Sequence, residues 1–89
     1  MDYPKLRYVE AHPFVQEGKE MVLIRDIEGI MENALLVSRD IAFLLSLMDG
    51  TRSLRDIQAE YMRAFGELLH IERIQQLAET MDKNLLLMS

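Results

Sequence analysis

The pattern of apolar and polar positions changes character near residue 38: before it apolar residues come in short runs, and after it they recur at helical spacing. In the first part, Leu6-Arg7-Tyr8-Val9-Glu10-Ala11 mixes the two kinds of residue. Phe14 and Val15 carry the pattern to a turn at Gln16-Glu17-Gly18-Lys19. Pro13 has no backbone donor and suits an edge strand or a bend. Met21-Val22-Leu23-Ile24, bounded by Arg25-Asp26, is too short for a helix and rich in β-favouring residues. Asp26-Ile27-Glu28-Gly29 reads as a second turn and Asn33-Ala34-Leu35-Leu36-Val37 as a third strand. The order predicts a three-stranded antiparallel meander.

Ser38 is placed to cap a first helix, about Arg39 to Met48. There Ile41, Phe43, Leu44, Leu45, Leu47 and Met48 are almost continuously apolar, as in a helix buried on most of its surface. Asp49-Gly50 reads as its stop, because glycine takes the left-handed conformation without a Cβ clash. Ser53 starts a second helix, about Leu54 to Phe65, with Asp56 at the positive end of its dipole. Its stripe is Leu54, Ile57, Tyr61, Met62 and Phe65, and Gly66 stops it. A third helix, about Ile71 to Lys83, has the stripe Ile71, Ile74, Leu77, Ala78 and Met81. Asn84 offers a left-handed cap, and Leu85-Leu86-Leu87-Met88 a terminal strand or extended tail. The expected fold is α+β and winged-helix-like: a three-stranded antiparallel meander, then three helices, the last two a helix-turn-helix pair.

Composition narrows the function. Eighty-nine residues make a single domain, 1–89, either a whole small protein or the first domain of a longer one. Cysteine is absent, which removes disulfides and thiolate metal sites. Met1-Asp2-Tyr3-Pro4-Lys5 is polar and lacks the apolar run of a signal peptide, so none is expected, and no apolar run approaches the about 20 residues of a membrane span. The expectation is a cytoplasmic protein without a membrane partner. A net charge of −5 argues against nucleic acid, whose binding leaves a basic footprint. Seven methionines suit gap-filling in a small core or, more sharply, an adaptable apolar surface.

The candidate chemistry is thin. Asp49, Gly50 and Ser53 read as a structural turn rather than a site. Arg52 and Arg55 could receive a carboxylate, but pairing with Asp49 or Asp56 is the plainer reading. His12 and His70 lack the spacing of a metal helix, so no metal and no cofactor is expected. Asp26 and Glu28 read as a solvated turn. Ser38, Ser46 and Ser53 lie in no nucleophile elbow, and no Gly-rich phosphate loop exists. Catalysis by this chain alone is not expected.

The stretch from Val37 through Asp49-Gly50-Thr51-Arg52-Ser53-Leu54-Arg55-Asp56-Ile57 to Phe65-Gly66-Glu67 and the third helix resembles the PqqD-like fold. That fold is the precursor-peptide recognition domain of ribosomally made, modified peptides. Pro4-Lys5-Leu6-Arg7 with His12-Pro13, Leu23-Ile24-Arg25-Asp26 with Gly29-Ile30, and Ile57-Gln58-Ala59-Glu60 are similar to one branch. This is the N-terminal domain preceding the Memo-like domain in the AmmeMemoRadiSam system protein B. The resemblance covers nearly the whole chain. It implies a winged-helix domain that binds a peptide or protein segment and presents it to a radical-SAM enzyme. In that family the peptide adds as a strand against the third strand, beside the last main helix. Mapped by position, the peptide-binding residues are Leu35, Leu36 and Val37 on the edge and Ile74 and Leu77 on the helix.

Three functional classes follow: a recognition module, a DNA-binding winged helix, or a structural appendage of a Memo-like protein. The second is disfavoured because Glu72, Arg73, Glu79, Asp82 and Lys83 on the third helix sum to −1. The open edge could also pair with a second copy of the chain as a homodimer.

Overall fold

The computed structural model describes residues 3–6, 9–26 and 34–83. Three strands, β1 (Val9–Gln16), β2 (Lys19–Asp26) and β3 (Leu35–Ser38), precede three helices, α1 (Arg39–Ser46), α2 (Leu54–Phe65) and α3 (Ile71–Lys83). The sheet is antiparallel throughout, in the order β1-β2-β3. This is the expected α+β meander followed by helices. The turn read at Asp26–Gly29 falls almost wholly outside the described residues, as do the Asn84 cap and the terminal leucine-rich tail.

The β1–β2 hairpin turns on Glu17 and Gly18, whose φ values of 51° and 78° are both left-handed. A two-residue type I′ turn needs such a pair, because its twist matches that of the strands. In such a hairpin the flanking pair, Gln16 and Lys19, exchanges both backbone hydrogen bonds, and bonded pairs then alternate along the ladder. Phe14–Met21 and His12–Leu23 are therefore bonded pairs, while Ala11, Pro13 and Val15 turn their backbone groups outward. On the other side of β2, the remaining groups of Val22 and Ile24 meet Val37 and Leu35. Leu36 is left facing outward on the free edge of β3.

Residues paired directly across the strands share a face of the sheet. Ile24 with Leu35, and Val22 with Val37, face the helices: Ile24 is buried and the others pack against the core. Leu23 and Leu36 lie on the opposite face, where Leu36 is 46% exposed. The core itself is Ile24, Leu44, Leu45, Met48, Ile57, Tyr61, Ile74, Ala78 and Met81. Ile57 and Ile74 are wholly enclosed, each stabilising the fold by roughly 2–3 kcal/mol relative to exposure. The hairpin tip runs past this layer and is exposed from Ala11 to Glu20, tied back by an Arg39–Glu20 ion pair of 3.0 Å.

Helix α2 has the expected bounds for the expected reasons. Ser53 Oγ accepts from Asp56 N–H and Asp56 Oδ2 accepts from Ser53 N–H, both at 3.1 Å, closing a capping box. Gly66 ends it at φ 65°, donating to Met62 O at 2.9 Å. Two other expectations need correction. Ser38 occupies the N-cap of α1, but its hydroxyl donates to the Asp40 carboxylate instead of accepting from the helix. And α1 stops at Ser46, four residues before Gly50. The Leu47 and Met48 amides, donating to Leu44 and Leu45 carbonyls at 3.1 Å, tighten its last turn.

Gly50 does have a positive φ, 86°, but it serves a different contact. Leu6 N–H donates to Met48 O at 2.9 Å, and Gly50 N–H to Pro4 O at 3.0 Å, with Lys5 bridged to Asp49. The start of the described chain thus pairs with the turn and is separate from β1, which begins at Val9. A Cβ on Gly50 would stand 3.0 Å from Lys5 Cδ, so glycine answers both the dihedral and the close approach.

Candidate functional site

Two features lie beside each other where β3 runs into α1. The first is the free strand edge. Leu35 and Val37 anchor β3 to the core, and Leu36 offers its backbone N–H and C=O, with an exposed side chain, to whatever comes alongside.

The second is a groove of about 340 Å³ between the helices. Asp40 and Ile41 bring its rim to within two or three residues of the end of β3, and Leu44 and Leu69 supply apolar floor. Arg73, Gln76, Leu77 and Thr80 of α3 complete it. These four fall at i, i+3, i+4 and i+7, one stripe of the helix. The neighbouring stripe, Ile74, Ala78 and Met81, is buried. The two helical positions named from the resemblance therefore part company. Leu77 is half-buried and lines the groove, whereas Ile74, fully enclosed, presents no surface and supports the groove from within.

Tyr61 sits at the base of this groove. It is 5% exposed, with its ring stacked on Phe65 at 4.6 Å and edge-on to Phe43 at 6.4 Å. Burial holds its phenol above the ordinary range, and the Asp40 and Glu67 charges add to the effect. It remains a protonated donor at any physiological pH. Gln58 Nε2 donates to Leu69 O at 2.7 Å and pins the α2–α3 connection that forms one wall.

The Asp49–Gly50 turn is a separate, structural unit. Asp49 Oδ1 accepts from Thr51 N–H at 2.9 Å and from Thr51 Oγ1 at 2.6 Å, and Oδ2 from Arg52 at 2.8 Å. The Thr51 hydrogen bonds, then the Arg52 charge, hold its carboxyl below the usual carboxylate value despite an opposing effect of desolvation. Arg52 is thus paired with Asp49, as the plainer reading held, and Arg55 is exposed. His12 pairs with Glu10 at 3.0 Å on the exposed hairpin, while His70 lies in the loop before α3. Among the described residues no group of three His, Asp or Glu could hold a metal ion. No described helix is long and apolar enough to cross a membrane.

Tyr61, Arg73 and Gln76 were not named as site residues from the sequence, where Tyr61 stood only on the α2 stripe and Arg73 only in the charge sum of the third helix. The available signal was Tyr61 itself, a residue with a polar tip at a stripe position where an aliphatic would pack as well.

Fold and site define a small α+β domain whose β3 edge lies open beside a helical groove. Over 84 residues, 94% of its length, the chain is 39% identical to a MEMO1 family protein of Aquifex aeolicus (strain VF5). It spans about a fifth of that relative, 21% of its length. No family model matches the sequence, and no solved structure does.

Proposed function

We propose that this chain is a non-catalytic recognition domain of the PqqD-like, winged-helix kind, which captures an extended peptide or protein segment by strand addition at β3. The observation that carries the reading is the outward-facing backbone of Leu36, with neither proline nor lysine on the strand to block it. Main-chain bonds to this edge supply affinity, and the adjoining groove, with Leu77, supplies a side-chain pocket. The segment would be presented to a radical-SAM enzyme, the partner that the resemblance implies. A second reading has its own support: the match to about a fifth of a MEMO1 family protein suits a structural appendage of a Memo-like protein.

The test is titration with the proteins encoded beside this one, against the chain and against Leu36→Pro. Proline there removes an outward donor without breaking a bond to β2. Strand addition predicts loss of binding in a folded variant and only modest weakening by salt. Unaltered affinity in folded Leu36→Pro would leave the helical faces as the binding surface. Absence of binding to any neighbour would favour the appendage, and a salt-steep shift of DNA would favour the winged-helix DNA reader.

A further inference from the structure

We infer that the sheet face turned away from the helices docks against the body of a Memo-like protein, on an apolar surface with an acidic rim. This rests on the appendage reading and names the surface by which the domain is held. Antiparallel strands covered on one side alternate, apolar inward and polar outward. β2 breaks that rule at its centre. Val22 and Ile24 point to the helices, yet Met21 and Leu23, on the other face, are apolar as well. An uninterrupted apolar run suits a strand buried on both sides, and the described helices cover only one. The register carries the same chemistry to the neighbouring strands. Phe14 pairs with Met21 and Leu36 with Leu23, so these four form one patch across the sheet. None of them belongs to the core or to the residues packed against it, and Phe14 and Leu36 are exposed. Glu10, His12 and Arg25 border the patch at one end, Gln16 and Lys19 at the other. An apolar centre with a polar rim is the usual anatomy of an interface.

Two observations say what covers it. The chain matches about a fifth of a MEMO1 family protein, so in that relative an equivalent segment is joined to a body about four times as long. A domain held within a longer chain ordinarily buries roughly 600–1,500 Å² against its neighbour. Charge is the second. In a chain of net charge −5, this face sets Lys19 and Arg25 against Glu10 alone. It therefore attracts a surface rimmed with carboxylates, which the rest of the domain repels. A second copy would bring the same positive rim against this one, so the charges favour a different protein over self-pairing. The helical groove lies on the opposite side of the sheet and stays open.

The experiment replaces the 84 matched residues of the Aquifex aeolicus protein with the corresponding residues of this chain. Hydroxyl-radical footprinting then compares that chimaera with the 89-residue chain alone. Met62 and Phe65, exposed on the helical layer, serve as internal controls. Docking through the sheet predicts that Phe14, Met21 and Leu36 lose most of their reactivity in the chimaera, while Met62 and Phe65 keep theirs. Leu23→Lys, which sets a charge at the centre of the patch, should restore the reactivity of all three. Phe14→Lys, at an exposed site, does the same without risk to the fold, and circular dichroism verifies both variants. Protection unchanged in folded variants would overturn the inference. So would protection of Met62 and Phe65 instead of the sheet, or of neither, in a folded chimaera; the appendage reading would then still stand. Protection that grows with concentration in the isolated chain would assign the face to a second copy, against the inference. A chimaera that does not fold where its parent does overturns the appendage reading, and this inference with it.

Discussion

At one edge of the sheet, β1 turns the backbone of Ala11, Pro13 and Val15 outward; at the other, β3 turns out that of Leu36. The longer edge is the safer one. Pro13 removes the donor between Ala11 and Val15, so an incoming strand finds no unbroken row of bonds along the eight residues of β1. Exposed Glu10 and His12, joined at 3.0 Å, add polar cover. β3 has only four residues, and shortness is its sole defence. A pairing that short is weak by itself. It becomes useful only where something beside it adds affinity, and the helical groove stands on that side. On the proposed strand-addition reading, length of exposed edge is a poor guide to where a strand will add; the placement of one proline and the neighbouring surface decide it.

The sharpest test of this contrast places proline at adjacent positions of β3. Val37→Pro deletes a bond to Val22 and should cost about 3 kcal/mol, near the limit of stability for so small a domain. Leu36→Pro, deleting only an outward donor, should cost less than about 1 kcal/mol. Urea unfolding of the pair checks it, and equal costs would show that the alternation of bonded pairs is shifted by one residue. Gly50→Val comes next, at on the order of 1–2 kcal/mol or more, because valine meets both the left-handed dihedral and Lys5. It lies at neither edge, so it should lower the melting temperature while leaving the proposed peptide binding at β3 intact.

A smaller effect on stability, within about 0.5 kcal/mol, is expected for Pro13→Val, which sits on an exposed strand. Its consequence should appear in association. With the missing donor restored, β1 becomes a continuous edge, and sedimentation should show concentration-dependent self-pairing stronger than that of the parent chain. The smallest effect is on acid sensitivity. Asp49 has its carboxyl lowered in the folded state, so its contribution is present above the ordinary value of 3.8 and is lost as pH falls through the folded value. Asp49→Asn should therefore flatten the acid limb of the stability profile below about pH 4, without separating the two edges.

Much of this architecture is legible from sequence, and the reasons differ by element. Helices α2 and α3 were readable to the residue because their signals are local: the Ser53–Asp56 box, the Gly66 stop and apolar stripes at helical spacing. The end of α1 was not, because the glycine that resembled its stop is held by Pro4 and Lys5, far away in sequence. β2 runs longer than its apolar core suggested, since Lys19, Glu20 and Arg25 lie where the hairpin is exposed and carry no binary pattern. Pro13 correctly pointed to an edge. Of the site, the Leu35–Val37 strand was placed by element order, but the groove assembles from three helices. Which side of α3 faces it differs from the buried stripe by one residue, and periodicity alone does not separate Ile74 from its neighbour Arg73. The registers of the Met62 and Phe65 positions show the same limit: both lie on the predicted stripe, yet each is 38% exposed.

The pairing of Pro4–Leu6 with Met48–Gly50 also has a kinetic consequence. It joins segments about forty residues apart, and its two backbone bonds must offset the entropy of closing that long a loop, on the order of 3 kcal/mol. Nothing so costly is gained early in folding, when the hairpin and the helices can form from nearby residues. The amide protons of Leu6 and Gly50 should accordingly exchange with deuterium well before those of α2 and α3, at a rate set by a partial opening that leaves the core intact. The first residues of the domain are the last to lock and the first to release.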